Sequence, residues 1–327
     1  MLLGLVFALS GLAVLTVAAD HFVRGAARIA VAKHVSPVVV GAVLIGFGTS
    51  APEMVVSGIA AGRGDLDIGV GNIVGSNVTN ISLVLAAAAS IVAIPVSSST
   101  IRREVPISVA SVIVFALLIQ GEITRLEGAL LAVLIAMFLF FVLRAGTSDD
   151  ASFHDDVSDI VGDDPFHFRY EVLRAINGLV FVVVASWFIV DGAERVADAL
   201  DLSGGFVGFT LVALGTSAPE LVTSVQAARQ GETDLLVGNL LGSNVFNSLA
   251  VGGIIGLVGP GPVLDTRLAE TGSLMMVGIV VLSAAFMIFG GKVGRTKAFI
   301  LFFLWVASVI ALSGGEGAET AAGALGL

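Results

Sequence analysis

Apolar residues run along this chain in long, nearly unbroken stretches, not at every second position or on one helical stripe. The runs fall near 1–22, 36–61, 67–95, 106–120, 126–144, 171–193, 203–228, 235–259, 271–290 and 297–313. A helix crosses the hydrocarbon core of a bilayer with about 17–25 such residues, so the pattern predicts ten transmembrane helices and an all-α membrane protein. The fourth run, bounded by Pro106 and Gly121, is short and expected to be a single brief span. The first lacks a basic segment and a small-residue cleavage site and ends in Asp20. It reads as the first membrane helix and not as a signal peptide.

Composition agrees. The 327 residues are 56% hydrophobic and 13% charged, where soluble domains carry about 25% charged residues. The expected setting is the lipid bilayer of the cell membrane, crossed many times. The absence of cysteine removes disulfides and thiolate metal sites. The net charge of −10, without a basic patch interleaved with aromatics, argues against nucleic acid as a partner. No obligatory protein partner and no cofactor is evident in the residues.

Basic residues set the orientation, because Lys and Arg accumulate in cytoplasmic loops. With the N-terminus outside, the inner ends carry Arg24, Arg28, Lys33, Arg102, Arg103, Arg144, Arg169, Arg174, Arg229, Lys292, Arg295 and Lys297, and the outer ends Arg63, Arg125, Arg195 and Arg267. That split of 12 against 4 accounts for all sixteen and places both termini outside. The segment 145–168 then lies inside. It holds seven Asp and no basic residue, and reads as a solvated tether. Its spacing does not match an EF-hand loop.

The chain also repeats. Residues 25–83 lie over 192–250 at an offset of 167 without a gap, with roughly half of the paired positions identical, which marks a true internal repeat. Residues 1–144 and 169–327 form two five-helix halves around the linker. An odd number of spans turns the second half over, the inverted-topology plan of secondary transporters.

The repeat contains "GTSAPE" twice, at 48–53 and 215–220. Proline has no N–H to donate and its ring displaces the carbonyl four residues back, so Pro52 and Pro219 are expected to break their helices. Carbonyls freed in this way survive at membrane depth only where they line a cavity or bind something. Glu53 and Glu220 follow directly. An ionised carboxylate near the bilayer centre costs at least about 2.5–3.5 kcal/mol on insertion scales and must be paired, and no Lys or Arg lies inside a span near either. A cation from solution is the expected partner. Oxygen donors gather on the same helices. Thr49 and Ser50 precede Glu53 by four and three residues, while Ser76 and Asn80, like Ser243 and Asn247, are four apart. Each set shares a helix face. Oxygen ligands without His or Cys suit Na⁺, Ca²⁺ or Mg²⁺, and two bidentate carboxylates with a few carbonyls approach the about 6–8 oxygens of calcium.

Other polar residues have blander readings. The Gly-x-x-x-Gly pairs 71/75 and 238/242 also serve close helix packing. Asn77 and Asn244 bond neighbouring helices as readily as they ligate. Asp20 and Asp191 fall at helix ends, and His21, His34, His154 and His167 at ends or in the linker. "GRGD" at 62–65 matches an intramembrane aspartyl protease string, but it sits at a membrane edge without a second buried Asp. No His stands near Ser50 or Ser217 to activate a hydroxyl, so an enzyme is not expected.

"GFGTSAPE…GNIVGSNVTN" and "ALGTSAPE…GNLLGSNVFN" resemble the two alpha-repeats of the calcium/cation antiporter superfamily, and most of all its prokaryotic sodium/calcium exchangers. The resemblance spans essentially the whole chain. It implies an antiporter that exchanges Na⁺ for Ca²⁺ by alternating access, three for one and electrogenic. It also implies that the first and sixth helices slide against a core of the second, third, seventh and eighth. By the resemblance, Glu53, Glu220 and the carbonyls of Thr49 and Thr216 bind calcium. Sodium takes Ser50, Ser76, Glu53 and the Gly46 carbonyl in one half, with Ser217, Ser243, Glu220 and the Ala213 carbonyl in the other. Asn80 and Asn247 complete the middle of the pocket. Some relatives carry Asp where this chain has Asn247, so only two carboxylates stand here, which by the resemblance speaks against potassium or proton coupling. Proton/calcium exchange is the alternative, and the Thr and Ser oxygens favour sodium over it.

The orientation is testable on the native background because it has no cysteine. A Cys at Ser152 should react with an impermeant maleimide only from inside, and one at Gly323 only from outside. Labelling of both from one side would refute the inverted repeat.

Overall fold

The computed structural model describes residues 1–33, 46–145, 166–231 and 233–313. Within them the chain is almost wholly helical. In chain order the helices are α1 (Leu2–Ala32), α2 (Gly46–Arg63), α3 (Leu66–Ile91), α4 (Ser98–Leu118), α5 (Arg125–Ala145) and α6 (Phe168–Leu200). There follow α7 in two pieces (Gly204–Thr216 and Ala218–Gln230), α8 (Thr233–Val245 running on through Phe246–Val251 and Gly252–Val258), α9 (Leu268–Gly290) and α10 (Arg295–Ser313). Most of the acidic linker lies outside the described residues.

Seven of these helices are long and apolar enough to cross a membrane, and eight when the bent halves of α7 count as one span. Helices α2 and α4 fall outside that count for visible reasons. The expected span 36–61 begins at Gly46 among the described residues. Helix α4 spends its first turns on Arg102, Arg103 and Glu104. It also starts earlier than expected, and Pro106 lies inside it rather than at its boundary. The Ser97 side chain accepts from Thr100 N at 3.2 Å, an N-cap that secures the first turn. The proline then deletes one hydrogen bond from a helix already under way.

Of the two breaks expected at the prolines of the repeated motif, only the one beside Pro219 is made. Helix α2 continues through Pro52. Helix α7 breaks at Ser217 (φ −83°, ψ 6°) and bends by 45°. There Pro219 falls in the first turn of the second piece, where a helix has no use for the missing N–H. Identical hexapeptides thus give an unbroken helix in one half and a broken one in the other.

Helices α1 and α6 run antiparallel along a seam of small residues. Gly192 lies on Ala8 and Gly4, Gly11 on Ala185 and Ile189, and Gly178 on Phe22 and Ala18. Small residues let backbones approach where lipid offers no hydrophobic drive between helices. At one end of the seam the guanidinium of Arg28 donates to Glu171 at 2.5 Å, both groups buried. This pair explains why α1 continues ten residues past its apolar run. Asp20–Arg24 and Asp191–Arg195 pair within their own helices at 2.7 and 2.8 Å with substantial exposure, as expected of interfacial residues.

The main core joins α3, α4, α8, α9 and α10, with Val70, Ile73, Val74, Ile81, Phe115, Val251 and Ile255 fully buried. Two short ladders pin its ends: Ile94–Pro95 pair antiparallel with Lys292–Val293, and Glu122–Ile123 with Gly261–Pro262. A shift of 167 carries 94–95 onto 261–262, so each half lends one strand to each ladder. The shift also relates the π-helical turns Asn80–Val84 of α3 and Phe246–Val251 of α8. Such turns often mark functional sites.

Helix α3 meets α7 without intervening side chains. A Cβ at Gly71 or Gly75 would overlap the carbonyl oxygens of Gly205 and Phe209, whereas one at Gly278 of α9 meets nothing within 4 Å. Overpacking typically costs about 1–3 kcal/mol. Gly75→Ala should therefore lower the thermal midpoint in detergent clearly, and Gly278→Ala should not. Equal midpoints would contradict the close α3–α7 contact.

Candidate cation site

The repeated motifs meet in the middle of the bundle. Glu53 and Glu220 are both completely buried, and neither enters an ion pair among the described residues. The helical path of α2 stacks Thr49 and Ser50 one turn before Glu53. Glu53 lies against hydroxyls of the opposite half, and Glu220 against one hydroxyl from each half. Thr216 and Ser217 are beside Glu53, which also senses the charge of Glu220, and Thr49 is beside Glu220. Thr49 Oγ1 and Ser243 Oγ are 3.3 Å apart, and Ser243 donates to Glu220 Oε1 at 3.3 Å.

The decisive feature is what these groups lack. Buried polar atoms normally have a hydrogen-bond partner, and each exception needs an explanation. Both oxygens of Glu53, Oε2 of Glu220, the hydroxyls of Ser50, Ser76 and Ser217, Oδ1 of Asn80 and both amide atoms of Asn247 are buried without one. Eight residues were expected to offer side-chain atoms to a cation or to the pocket around it. Seven carry such an orphaned atom, and the eighth, Ser243, is the one spent on Glu220. Oxygens that find no proton donor inside the protein are the natural ligands of a cation.

The π-helical turns bring in the central amides. The turn holding Asn247 packs against α2, and the turn holding Asn80 packs against the second piece of α7. Asn80 donates to Asn244 Oδ1 at 3.4 Å, and Asn244 Nδ2 to the Asn77 carbonyl at 3.3 Å. Asn77 donates to Ser248 at 3.1 Å. Asn77 and Asn244 therefore tie α3 to α8, and Asn77 Oδ1 is left buried without a partner. Gly46 opens α2. The Ala213 carbonyl already accepts Ser217 N at 3.0 Å and lies 3.4 Å from Thr216 Oγ1, so one of its lone pairs remains for an ion at most.

Two residues were not singled out in the sequence. Thr216 Oγ1 donates to Asn72 Oδ1 at 3.0 Å, Asn72 Nδ2 donates to Ser57 Oγ at 2.9 Å, and Ser57 Oγ donates to the Gly69 carbonyl at 3.3 Å. All three side chains are buried. The repeat held the signal, since Asn72 and Ser57 recur as Asn239 and Ser224 at the same offset.

Among the described residues no group of three or more His, Cys, Asp or Glu gathers as a metal cluster. The site has two carboxylates and otherwise neutral oxygens, a donor set for hard cations. A separate cavity of about 460 Å³ lies beside Asp67, Ser203 and Asp265. Its carboxylates are engaged, Asp67 with the N–H groups of Leu264 and Asp265, and Asp265 with Leu268 N and Ser203 Oγ. They serve as caps and not as ligands.

Residues 3–144 and 171–314 match the sodium/calcium exchanger protein family. The chain belongs to that family. It is 37% identical over 85% of its length to a protein of Alkalimonas amylolytica named provisionally as the antiporter CaxA, covering 87% of it. It is 28% identical over 95% of its length to the sodium/calcium exchanger MaX1 of Methanosarcina acetivorans, covering 97% of that protein. Among solved structures, the sodium-calcium exchanger NCX_Mj soaked with 2.5 mM Na⁺ and 0.1 mM Ca²⁺ superposes with a TM-score of 0.66. The two chains are 30% identical, over 95% of this chain and 99% of that one. The family is one of membrane transporters that exchange cations, and this chain is a multi-pass membrane protein of that kind.

Ligand binding to the folded state raises stability by about 2.7 kcal/mol at a hundred times the dissociation constant. Calcium should therefore raise the thermal midpoint of the purified protein. Glu53→Gln, which keeps the size and removes the charge, should abolish the rise. A full calcium-dependent rise in the variant would exclude Glu53 as a ligand.

Proposed function

We propose that this protein exchanges Na⁺ for Ca²⁺ by alternating access, with three Na⁺ moving against one Ca²⁺. The observation that carries the reading is the set of orphaned oxygens around two buried, unpaired carboxylates. Glu53 and Glu220 serve both ions in turn. With calcium bound they are its bidentate ligands, and the carbonyls of Thr49 and Thr216 complete the shell. With sodium bound the load divides among Ser50, Ser76 and the Gly46 carbonyl on one side, and Ser217, Ser243 and the Ala213 carbonyl on the other. Asn80 and Asn247 line the space between. Because one set of oxygens serves both loads, sodium and calcium exclude one another, which is the condition for coupled exchange.

The proposed frame is ten spans in two inverted five-helix halves, with both termini outside. The exchanged ladder strands and the matching π-helical turns support it. The small-residue seam of α1 and α6 supports their motion as one body against the rest. Three Na⁺ carry one charge more than one Ca²⁺, and a charge crossing 100 mV is worth about 2.3 kcal/mol. An inside-negative potential thus drives calcium outward.

Sodium-driven uptake of radioactive calcium into reconstituted vesicles tests the reading. Wild-type protein should show it, and Glu53→Gln and Glu220→Gln should each lose it while remaining folded. Full exchange in either variant would refute the site. Two carboxylates balance the charge of one Ca²⁺ without a K⁺ beside it, and Asn247 supplies no third carboxylate for a K⁺ carried together with Ca²⁺. Flux should therefore persist when choline replaces K⁺. Its loss would show that the charge count is wrong.

A further inference from the structure

Only one of the two repeat-related Thr–Asn–Ser chains is made. The offset of 167 relates Thr49, Ser57 and Asn72 to Thr216, Ser224 and Asn239. The equivalent of the chain Thr216–Asn72–Ser57 is therefore Thr49–Asn239–Ser224. All of these residues are described, and the second chain is not made. Thr49 instead meets Ser243, Ser224 Oγ is buried without a partner, and Asn239 is partly exposed.

The difference changes what each carboxylate sees. Thr216 spends its proton on Asn72, so its oxygen lone pairs are free toward Glu53, whose own oxygens are both unpartnered. In the other half Ser243 gives its proton to Glu220, which leaves Thr49 as the donor to Ser243. There the hydroxyls satisfy the carboxylate in the way a cation would. One half is set to receive a cation, and the other has its hydroxyl protons turned inward. The engaged chain also crosses three helices, α7, α3 and α2, where α3 and α7 are in backbone contact through Gly71 and Gly75.

We propose that Asn72 and Asn239 are paired positioning residues that take turns. Asn72, when engaged, holds Thr216 as a cation-facing oxygen and closes α3 on α7. Asn239 does the same for Thr49 when the first chain releases. Neither residue touches the ion. The proposal rests on the cation-site reading above and adds to it a pair of residues that decide which half is set.

Removing either residue should bias the same equilibrium in opposite directions. A hydrogen bond of ordinary strength corresponds to a bias of about fivefold, and apparent affinity at a face scales with the fraction of protein open to it. In right-side-out and inside-out vesicles, Asn72→Ala should lower the half-saturating calcium on one face and raise it on the other. Asn239→Ala should do the reverse, and each variant should change the ratio between the two faces by about fivefold on these grounds. The double variant should return the ratio between faces close to wild type. Ser57→Ala and Ser224→Ala, which delete only a hydroxyl, should repeat the two signs at smaller size and serve where an Asn variant fails to fold. A second readout needs no transport. Phe209 is buried where α7 backs onto Gly75. The maleimide labelling rate of Phe209→Cys, in a chain without other cysteines, should rise with Asn72→Ala and fall with Asn239→Ala. Shifts of the same sign in both variants, or a double variant that sums the losses, would overturn the proposal in either assay. Absent calcium flux in wild type would overturn the exchange reading and leave the labelling result to judge the pair.

Discussion

Two carboxylates are held inside a membrane protein with no protein cation to answer them, and the rest of the structure is arranged around that fact. Glu53 and Glu220 are fully buried, and neither forms an ion pair among the described residues. In hydrocarbon such groups are expensive and are retained where they do something. Here they collect hydroxyl and amide oxygens that also lack internal donors. Those oxygens would be a defect in a structural core. Around a dehydrated cation they replace the water that the ion gives up.

Holding the carboxylates in place takes backbone geometry more than side-chain bulk. Glycines at 71 and 75 let α3 lie directly on α7. The turns Asn80–Val84 and Phe246–Val251 widen their helices where Asn80 and Asn247 enter the pocket. The break at Ser217 frees the end of one helix piece and the start of the next beside Glu53. Each irregularity is costly in lipid, and all are confined to the region where polar atoms face each other across the two halves.

The halves share a sequence and not a conformation. A continuous α2 faces a bent α7, one Thr–Asn–Ser chain is made and its counterpart is open, and Glu220 is partly satisfied where Glu53 is not. Two copies of one motif in different local states fit the proposed exchange cycle, in which each half would take the other's state.

Hydrophobic runs, the 167-residue repeat and the position of Glu beside Pro are local or periodic properties, and they alone determined the membrane class and singled out the two carboxylates that the structure buries together. A buried charge without a countercharge is visible in a string of letters because the cost of burying it applies in any fold. The sequence did not determine which hydroxyls would be spent within the protein. Ser243 turning to Glu220, Asn77 and Asn244 bonding across helices, and Asn72 reaching Thr216 all depend on distances between helices far apart in the chain. Nor could identical hexapeptides foretell that α2 continues through Pro52 while α7 breaks before Pro219. A proline removes a donor and crowds one carbonyl in either helix, so the difference lies in the tertiary surroundings of the two copies.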